Sequence, residues 1–430
     1  MDFCICLCYP IGDFEKGDFT MNNNLIVAQS GGPTAAINSS LAGVCSAAVK
    51  SPQIGQVYGS VHGIQGVIKD QFIEFTDWDD TALDRLAKTP AMYLGSCRFK
   101  LPEPSEDEEL YKTIFDRFES MHIGYFIYIG GNDSMDTVVK LSAYAKAHNI
   151  QISIAGVPKT IDNDLIITDH TPGFGSAAKY VANTVREVAY DTYIYDTKSV
   201  TIIEIMGRDA GWLTTASALA RTKSSPAPHL IYLPEVAFSK DNFIEDVKKN
   251  LERYKNIVVA VSEGIHDKSG NYISADTTYS DRFGHSQLSG AGRILENLVK
   301  DRLGVKVRSI ELNVLQRCAG HIVSKTDFTE AFAQGEYAVT HSLTGASGFM
   351  SAIRRISDSP YRTELFAVDS ADVANKAKPV PKSFINEYGN NVTKSAVDYL
   401  TPLIQGEAAA DFENGVVDYL PVLHLVHHRI

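Results

Sequence analysis

Four side chains within six positions have the chemistry to move a phosphoryl group: Lys159, Thr160, Asp162 and Asp164, in the stretch Gly156-Val-Pro-Lys-Thr-Ile-Asp-Asn-Asp164. A carboxylate can take the proton of an attacking alcohol, while a hydroxyl and an ammonium steady the group in flight. Taken alone, Asp-Asn-Asp reads more readily as a polar turn with an Asx cap. The surrounding chain has to decide between the two.

What precedes the stretch is Ile150-Gln-Ile-Ser-Ile-Ala155, whose alternation and β-branched content predict a strand. Pro158–Asp164 then falls at a strand's carboxyl end, where open α/β sheets bind ligands. Other strand ends repeat the theme. Leu25–Ala28 predicts a buried strand running into Gln29-Ser-Gly-Gly-Pro-Thr34 and a helix to about Lys50. Gly124–Ile129 predicts a strand entering Gly130-Gly-Asn-Asp-Ser-Met135 and a helix to about Ala147. At such junctions small residues admit a ligand to the backbone, and the helix start offers free N–H groups. Tyr93-Leu-Gly-Ser-Cys-Arg-Phe99 adds a Gly-Ser turn with an arginine, before an acidic helix start at Glu103–Leu110.

The second half continues in the same style. Gly175–Tyr190 has helical spacing, and Ser199–Met206 is a strand ending in Gly207-Arg208-Asp209, with a helix to Arg221. Strands follow at Leu230–Leu233, Asn256–Val261 (closed by Ser262-Glu263-Gly264) and Val305–Leu312, with a helix at Ser239–Tyr254 between the first two. A polar excursion spans Ile265–Gly290, a helix lies near Asp327–Ser342, and Phe349–Ile356 is a late strand. Lys376-Ala-Lys-Pro-Val-Pro-Lys382 reads as a linker crossing back over the surface. Alternating β and α over this length implies mostly parallel sheets covered by helices. Gly173-Phe-Gly-Ser-Ala-Ala178 fits a dinucleotide fingerprint by letter, but no strand precedes it, so the reading fails.

Composition narrows the classes. The formal net charge of −12 disfavours general nucleic-acid binding, so anionic ligands would have to meet locally gathered Arg, Lys and N–H groups. No run is long and apolar enough for a membrane helix. Six cysteines are too few and scattered for a disulfide framework; Cys45, Cys97 and Cys318 read as thiols of a reducing cytoplasm. Cys4, Cys6 and Cys8 lack further ligands for a metal site. Residues 1–20 read as sequence upstream of a true start at Met21, because Lys16-Gly-Asp18 can be encoded by a purine-rich ribosome-binding sequence. The terminal His424-Leu-Val-His-His428 reads as a tail.

In order along residues 24–360, Ser30-Gly-Gly32, Gly95-Ser-Cys-Arg-Phe99, Gly130-Gly-Asn-Asp-Ser134, Thr160-Ile-Asp-Asn-Asp164, Met206-Gly-Arg208 and Gln316-Arg317 resemble the phosphofructokinase family. That resemblance implies an α/β fold of two Rossmann-like three-layer domains with the active site in the cleft between them. It assigns residues 22–174 with about 316–375 to the phosphoryl donor. Residues 175–315 with part of the C-terminal segment go to fructose 6-phosphate, leaving 376–430 as linker and extension. Asp162 would be the base for the sugar 1-hydroxyl, with Thr160 on the moving phosphoryl group and Arg208 neutralising the transition state. Ile161, Met206, Gly207, Glu263, Val314 and Arg317 would line the sugar-phosphate site, joined by Arg308 from a neighbouring subunit. Gly31, Gly32, Arg98, Gly131 and Ser134 would hold the donor, and Asn132 and Asp164 the Mg²⁺. The family also implies a homodimer or homotetramer in the cytoplasm.

Departures from the family pattern bear on the donor. Asn132 replaces an acidic residue, Ser199 an arginine beside which Lys198 could serve, and Val314 a polar residue. Where the ATP-using enzymes have two glycines, this chain has Asp133 and Lys159. A carboxylate ~4 Å from an α-phosphate costs about 4 kcal/mol even at an effective dielectric near 20, so Asp133 argues against ATP. Lys159 could instead take the charge of departing phosphate. Ala210-Gly-Trp-Leu213 also resembles the pyrophosphate-using branch. The sequence therefore predicts reversible, pyrophosphate-dependent phosphorylation of fructose 6-phosphate. An ATP-dependent enzyme and a catalytically silent sugar-phosphate binder are the alternatives. Ala42 and Ser46 stand where regulated relatives carry effector-binding arginines, which predicts kinetics without effectors.

Overall fold

Leu25, Ile26, Val27 and Ala28 have no solvent exposure, which demands a strand inside a sheet covered on both faces. The computed structural model describes residues 23–274, 290–408 and 410–423. The Cys4/Cys6/Cys8 group, the Met21 start, most of the polar excursion and the terminal histidines lie outside those residues. Among the described residues the chain forms β1 (Asn24–Gln29), β2 (Val57–Ser60), β3 (Phe72–Glu74), β4 (Ile123–Gly130) and β5 (Ser153–Pro158). It continues with β6 (Ser199–Ile205), β7 (Leu230–Tyr232), β8 (Asn256–Ser262) and β9 (Lys306–Glu311), then β10 (Phe349–Asp358) and β11 (Tyr361–Asp369).

These strands build two sheets, one of seven strands ordered β11-β10-β5-β4-β1-β2-β3 and one of four ordered β7-β8-β6-β9. In the larger sheet β2, β1, β4, β5 and β10 pair in parallel, and only the edge strands β3 and β11 run antiparallel. The smaller sheet is parallel throughout. Alternate residues feed opposite layers, as the pleat requires. Leu25 and Val27 join one apolar cluster, Ile26 and Ala28 another. In β6, Ile203 and Ile205 face one layer and Val200 and Ile202 the other. The α/β architecture with mostly parallel sheets expected from the alternation is what the chain adopts.

Several helix starts follow the capping rules. The side chains of Asp79, Asp107, Ser239 and Ser324 accept from the N–H three residues on. Helix Ile37–Lys50 lies against helix Lys325–Ser342 at backbone contact. A Cβ on Gly43 would sit 2.0 Å from the Phe332 carbonyl oxygen, and one on Gly335 would sit 2.2 Å from that of Ser40.

Four details depart from the sequence reading. β5 runs Ser153–Pro158 rather than 150–155, because Ile150 and Ile152 pack beside the larger sheet before the ladder with β4 begins at Ser153. No helix reaches Arg221. A short turn of helix, Trp212–Ala216, gives way to a 3₁₀ turn at Ser217–Ala220, with the Thr215 and Ser217 hydroxyls bonded back to the Gly211 and Thr214 carbonyls. Residues 361–369, given no element, form β11, and β2, β3 and helix Asp80–Lys88 fill the unread stretch before Tyr93. The segment read as a surface linker holds a half-buried lysine, Lys378, against the loop after β5.

Candidate active site

Six site segments follow the carboxyl ends of parallel strands. Gly31 and Gly32 follow β1, Gly131–Ser134 follow β4, and Lys159–Asp164 follow β5 in the larger sheet. Met206–Arg208 follow β6, Glu263 follows β8, and Asn313–Arg317 follow β9 in the smaller one. The two sets meet. A Cβ on Gly32 would lie 3.4 Å from Arg317 Nη1, so a residue beyond β9 reaches the loop beyond β1. The charges of Arg208 and Asp209 act on Asp162, and that of Asp162 acts on Glu263, across the same gap.

On the larger sheet's side, Lys159 is buried and its ammonium donates to the Gly32 carbonyl at 2.6 Å. It makes no ion pair with Asp133, which is exposed; the surface Asp–Lys pair that would make both residues incidental is not what forms. Burial pushes the Lys159 ammonium down to about 8 against the pull of Asp162 and Asp164. A Cβ on Gly31, where φ is +83°, would come within 3.0 Å of Lys159 Nζ, so both glycine properties are in use. Ser96 ties the Arg98 loop to this one by donating to the Gly31 carbonyl at 2.7 Å; Arg98 itself is exposed.

Thr160 and Asp162 close a small turn in which the Asp162 N–H donates to Thr160 Oγ1 at 3.0 Å and the hydroxyl faces Asp162 Oδ2 at 3.3 Å. Thr160 is pinned from behind by Thr171 and Pro172. Burial raises the Asp162 carboxyl, while Thr160, Lys159 and Arg208 oppose it. Asp164 is pushed up to about 7, by burial first and by Asp162 second. Ile161 is buried in the apolar layer beneath.

Helix Asn132–Ala147 begins at Gly131 with no side chain capping it, so its first N–H groups point outward unclaimed by a cap. Ser134 is buried and its hydroxyl covers Gly130, where any Cβ would collide at 1.9 Å. Asn132 donates to the Lys376 carbonyl at 3.0 Å, but its Oδ1 is buried with no partner. That lone oxygen is what a hard cation would use. No cluster of three or more His, Cys, Asp or Glu suited to a metal exists among the described residues. Such sparse ligation suits Mg²⁺, which keeps its waters and leans on phosphate oxygens.

On the smaller sheet's side, the Gly207 N–H donates to Glu263 Oε1 and the Met206 N–H to Gln316 Oε1, both at 3.3 Å. Gly207 has φ +142°, and Ser262 donates its hydroxyl to the Gly207 carbonyl. Gly264 is obligatory, since a Cβ there would meet the Arg208 carbonyl oxygen at 1.8 Å. Glu263 is pushed up to about 7 by burial, with the Gly207 hydrogen bond opposing.

Two further predicted residues lie in β9 and in the turn just after it. Arg308 lies within β9, ion-paired to Asp191 and 3.4 Å from Thr201 Oγ1. Val314 sits on the outer turn Asn313–Arg317, nearly half exposed. Ser199, which replaces an arginine, is buried at the opposite end of β6 from Arg208, where its hydroxyl accepts from Asn256 at 2.9 Å. Sequence reasoning missed Lys378, whose setting between Ala377 and Pro379 carries only a linker signal. It also gave no role to the Trp212 indole, which donates to the Lys378 carbonyl at 2.9 Å.

Comparison with known proteins places the chain in a family. The phosphofructokinase family profile matches residues 24–342. The chain is 40% identical over 411 residues to the pyrophosphate–fructose 6-phosphate 1-phosphotransferase of Halomonas elongata, covering 95% of this chain and 97% of that one. It is 42% identical over 389 residues to the enzyme of the same name from Xanthomonas campestris pv. campestris, covering 90% and 93%. The crystal structure of a pyrophosphate-dependent phosphofructokinase from Marinobacter aquaeolei superposes with a TM-score of 0.83 at 38% identity, covering 92% of this chain and 95% of that one.

Proposed function

This chain belongs to the phosphofructokinase family, and we propose that it transfers a phosphoryl group reversibly from pyrophosphate to the 1-hydroxyl of fructose 6-phosphate. The observation that carries the choice of donor is the buried Lys159 ammonium, 2.6 Å from the Gly32 carbonyl. It stands in the wall where the ATP-using enzymes have a glycine. Relatives with the pyrophosphate name cover nearly the whole chain.

In this reading Asp162 takes the proton of the sugar 1-hydroxyl while Thr160 Oγ1 contacts the moving phosphoryl group. Arg208 meets the charge that develops in flight, and Lys159 receives the departing phosphate. Gly31, Gly32, Gly131, Ser134 and Arg98 hold the donor, with the uncapped helix start at Asn132 facing its charge. Asp133 closes the space that an α-phosphate would need. Glu263 accepts from sugar hydroxyls, Met206 and Gly207 line the sugar, and Arg317 binds the 6-phosphate. Arg308 serves a neighbouring subunit's site in a homodimer or homotetramer. Asn132 Oδ1 and Asp164 would hold Mg²⁺, which supplies charge neutralisation on the phosphates when bound. Residues 22–174 with about 316–375 form the donor side, 175–315 with part of the C-terminal segment form the sugar side, and 376–430 are linker and extension, in a cytoplasmic enzyme. No helix among the described residues is long and apolar enough to cross a membrane.

Initial rates with fructose 6-phosphate and Mg²⁺, with pyrophosphate or ATP as donor, test the reading. Turnover with pyrophosphate and little or none with ATP is the expected result. Turnover with ATP alone would overturn it, as would binding of the sugar phosphate without turnover on either donor.

A further inference from the structure

Residues 375–380 run as a strap across loops of both sheets. Asn375 donates to Asp136 at 3.1 Å, and the Lys376 carbonyl accepts from Asn132 at 3.0 Å, so the strap starts on the donor-side helix. It ends on the other side, where the Val380 N–H donates to Glu235 Oε1 at 2.8 Å, an oxygen that also accepts from the Gly211 N–H at 2.9 Å. Lys378 stands between. Its backbone N–H donates to the Asp164 carbonyl at 2.7 Å, and its carbonyl accepts from Trp212 Nε1 at 2.9 Å.

The Lys378 side chain turns into the loop after β5. Its ammonium donates to Asn163 Oδ1 at 3.3 Å, the Thr168 carbonyl at 3.1 Å and the Asp169 carbonyl at 2.8 Å. An ammonium has three N–H donors, and each has an acceptor here. Together with the backbone contact, one residue thus grips both limbs of the segment that carries Asp162 and Asp164. Asn163, between the two carboxylates, is buried with φ +51°, a left-handed conformation that asparagine tolerates better than most side chains and that turns the chain sharply between Asp162 and Asp164. The Trp212 ring lies 5.3 Å from the same ammonium and packs on Phe174, Phe384 and Tyr399. Lys378 therefore has a firm backing on the smaller sheet's side.

We propose that Lys378 is a positioning residue for phosphoryl transfer: it fixes the Asp162–Asp164 loop of one sheet against Trp212 of the other, so that the base and the phosphoryl-contacting hydroxyl keep their reactive geometry. This rests on the reaction proposed above. Lys378 is engaged with protein atoms through all of its donors and touches neither substrate in that reading. Its removal should therefore lower the catalytic step and leave ground-state binding of the sugar phosphate alone.

The test is Lys378→Met, which is nearly as long and loses the donors, beside Lys378→Arg, which keeps the charge. Wild type must first turn over fructose 6-phosphate with pyrophosphate; if it does not, the reaction assignment fails and not the positioning role. Given that activity, Lys378→Met is expected to lower kcat by about 10- to 100-fold, the order that misplacement by roughly 1 Å costs. The Kd for fructose 6-phosphate measured without donor should stay within twofold, and Lys378→Arg should regain part of the rate. Unchanged kcat in Lys378→Met, or a Kd that rises in step with the loss of kcat, would overturn the proposal. If Lys378→Met does not fold, Trp212→Phe, which removes the donor to the Lys378 carbonyl together with part of the buried ring behind it, takes its place. A several-fold fall in kcat at unchanged Kd supports the role, and an unchanged kcat overturns it.

Discussion

Lys159, on the loop after β5, places its ammonium 2.6 Å from the carbonyl oxygen of Gly32, on the loop after β1. With this cation buried between two strand ends, Lys159→Gly should greatly reduce the rate with pyrophosphate without a matching loss of fructose 6-phosphate binding. Burial also sets a pH dependence. The ammonium, pushed down to about 8, is lost as pH rises through that value, so kcat/KM for pyrophosphate should fall there while sugar-phosphate affinity does not follow. A rate that survives Lys159→Gly would remove the residue from the leaving-phosphate role.

Asp162→Asn keeps the turn with Thr160 but cannot accept the alcohol's proton. Turnover should drop by about two to four orders of magnitude, the range for loss of a general base, while fructose 6-phosphate still binds by calorimetry. Near-normal turnover would exclude Asp162 as the base.

Asp164 makes a prediction about stability rather than rate. Its carboxyl, at 3.8 when unfolded and about 7 when folded, binds more protons in the folded protein between those values. Its contribution to stability is therefore present below about 4 and is lost as pH rises through about 7. The ligand-free Asp164→Asn variant should melt above wild type at pH 8, and the gap should close near pH 4. Equal melting temperatures at both pH values would show that burial at this position carries no such cost.

Pyrophosphate and a phosphate ester are close enough in chemistry for the reaction to run backwards. Fructose 1,6-bisphosphate with inorganic phosphate should give fructose 6-phosphate at a rate comparable to the forward one. Absence of reverse flux at excess phosphate would count against the donor assignment.

Ala42 and Ser46, where regulated relatives place arginines, are buried in helix Ile37–Lys50, which meets helix Lys325–Ser342 at backbone contact through Gly43 and Gly335. Neither can offer a nucleotide effector a charge. Fructose 6-phosphate saturation should be hyperbolic and indifferent to millimolar ADP or phosphoenolpyruvate. A sigmoidal curve straightened by ADP would disprove this.

The legible parts of the chain were those with short-range causes. β1, β4, β6 and β8 are apolar runs closed by Gly-rich or charged turns, and each delivers its site residues at the expected end. What escaped notice depends on partners distant in sequence. Residues 150–155 carry a strand's alternation, yet the ladder is set by Tyr125 and its neighbours in β4, so the strand begins at Ser153. Thr214, Thr215 and Ser217 look compatible with a helix, but the Thr215 and Ser217 hydroxyls compete for backbone carbonyls there. Lys378 looks like any linker lysine because its acceptors belong to Asn163, Thr168 and Asp169. β11 carries its own alternation, Tyr361-Arg-Thr-Glu-Leu365, yet follows β10 so closely that its start is set by the antiparallel pairing with β10.

The strand order has a consequence for synthesis. The smaller sheet is contiguous in the chain, from Ser199 to Glu311, whereas the larger one is interrupted, since β5 pairs with a β10 that begins only at Phe349. A ribosome therefore releases the whole smaller sheet before the larger one can close. Through that interval the apolar β5, buried along its full length in the finished protein, has one backbone edge without its neighbour, and such edges recruit strands from other chains. Chains terminated before Phe349 should accumulate as aggregates, and the vulnerable surface would be the very strand that later presents Lys159 and Asp162.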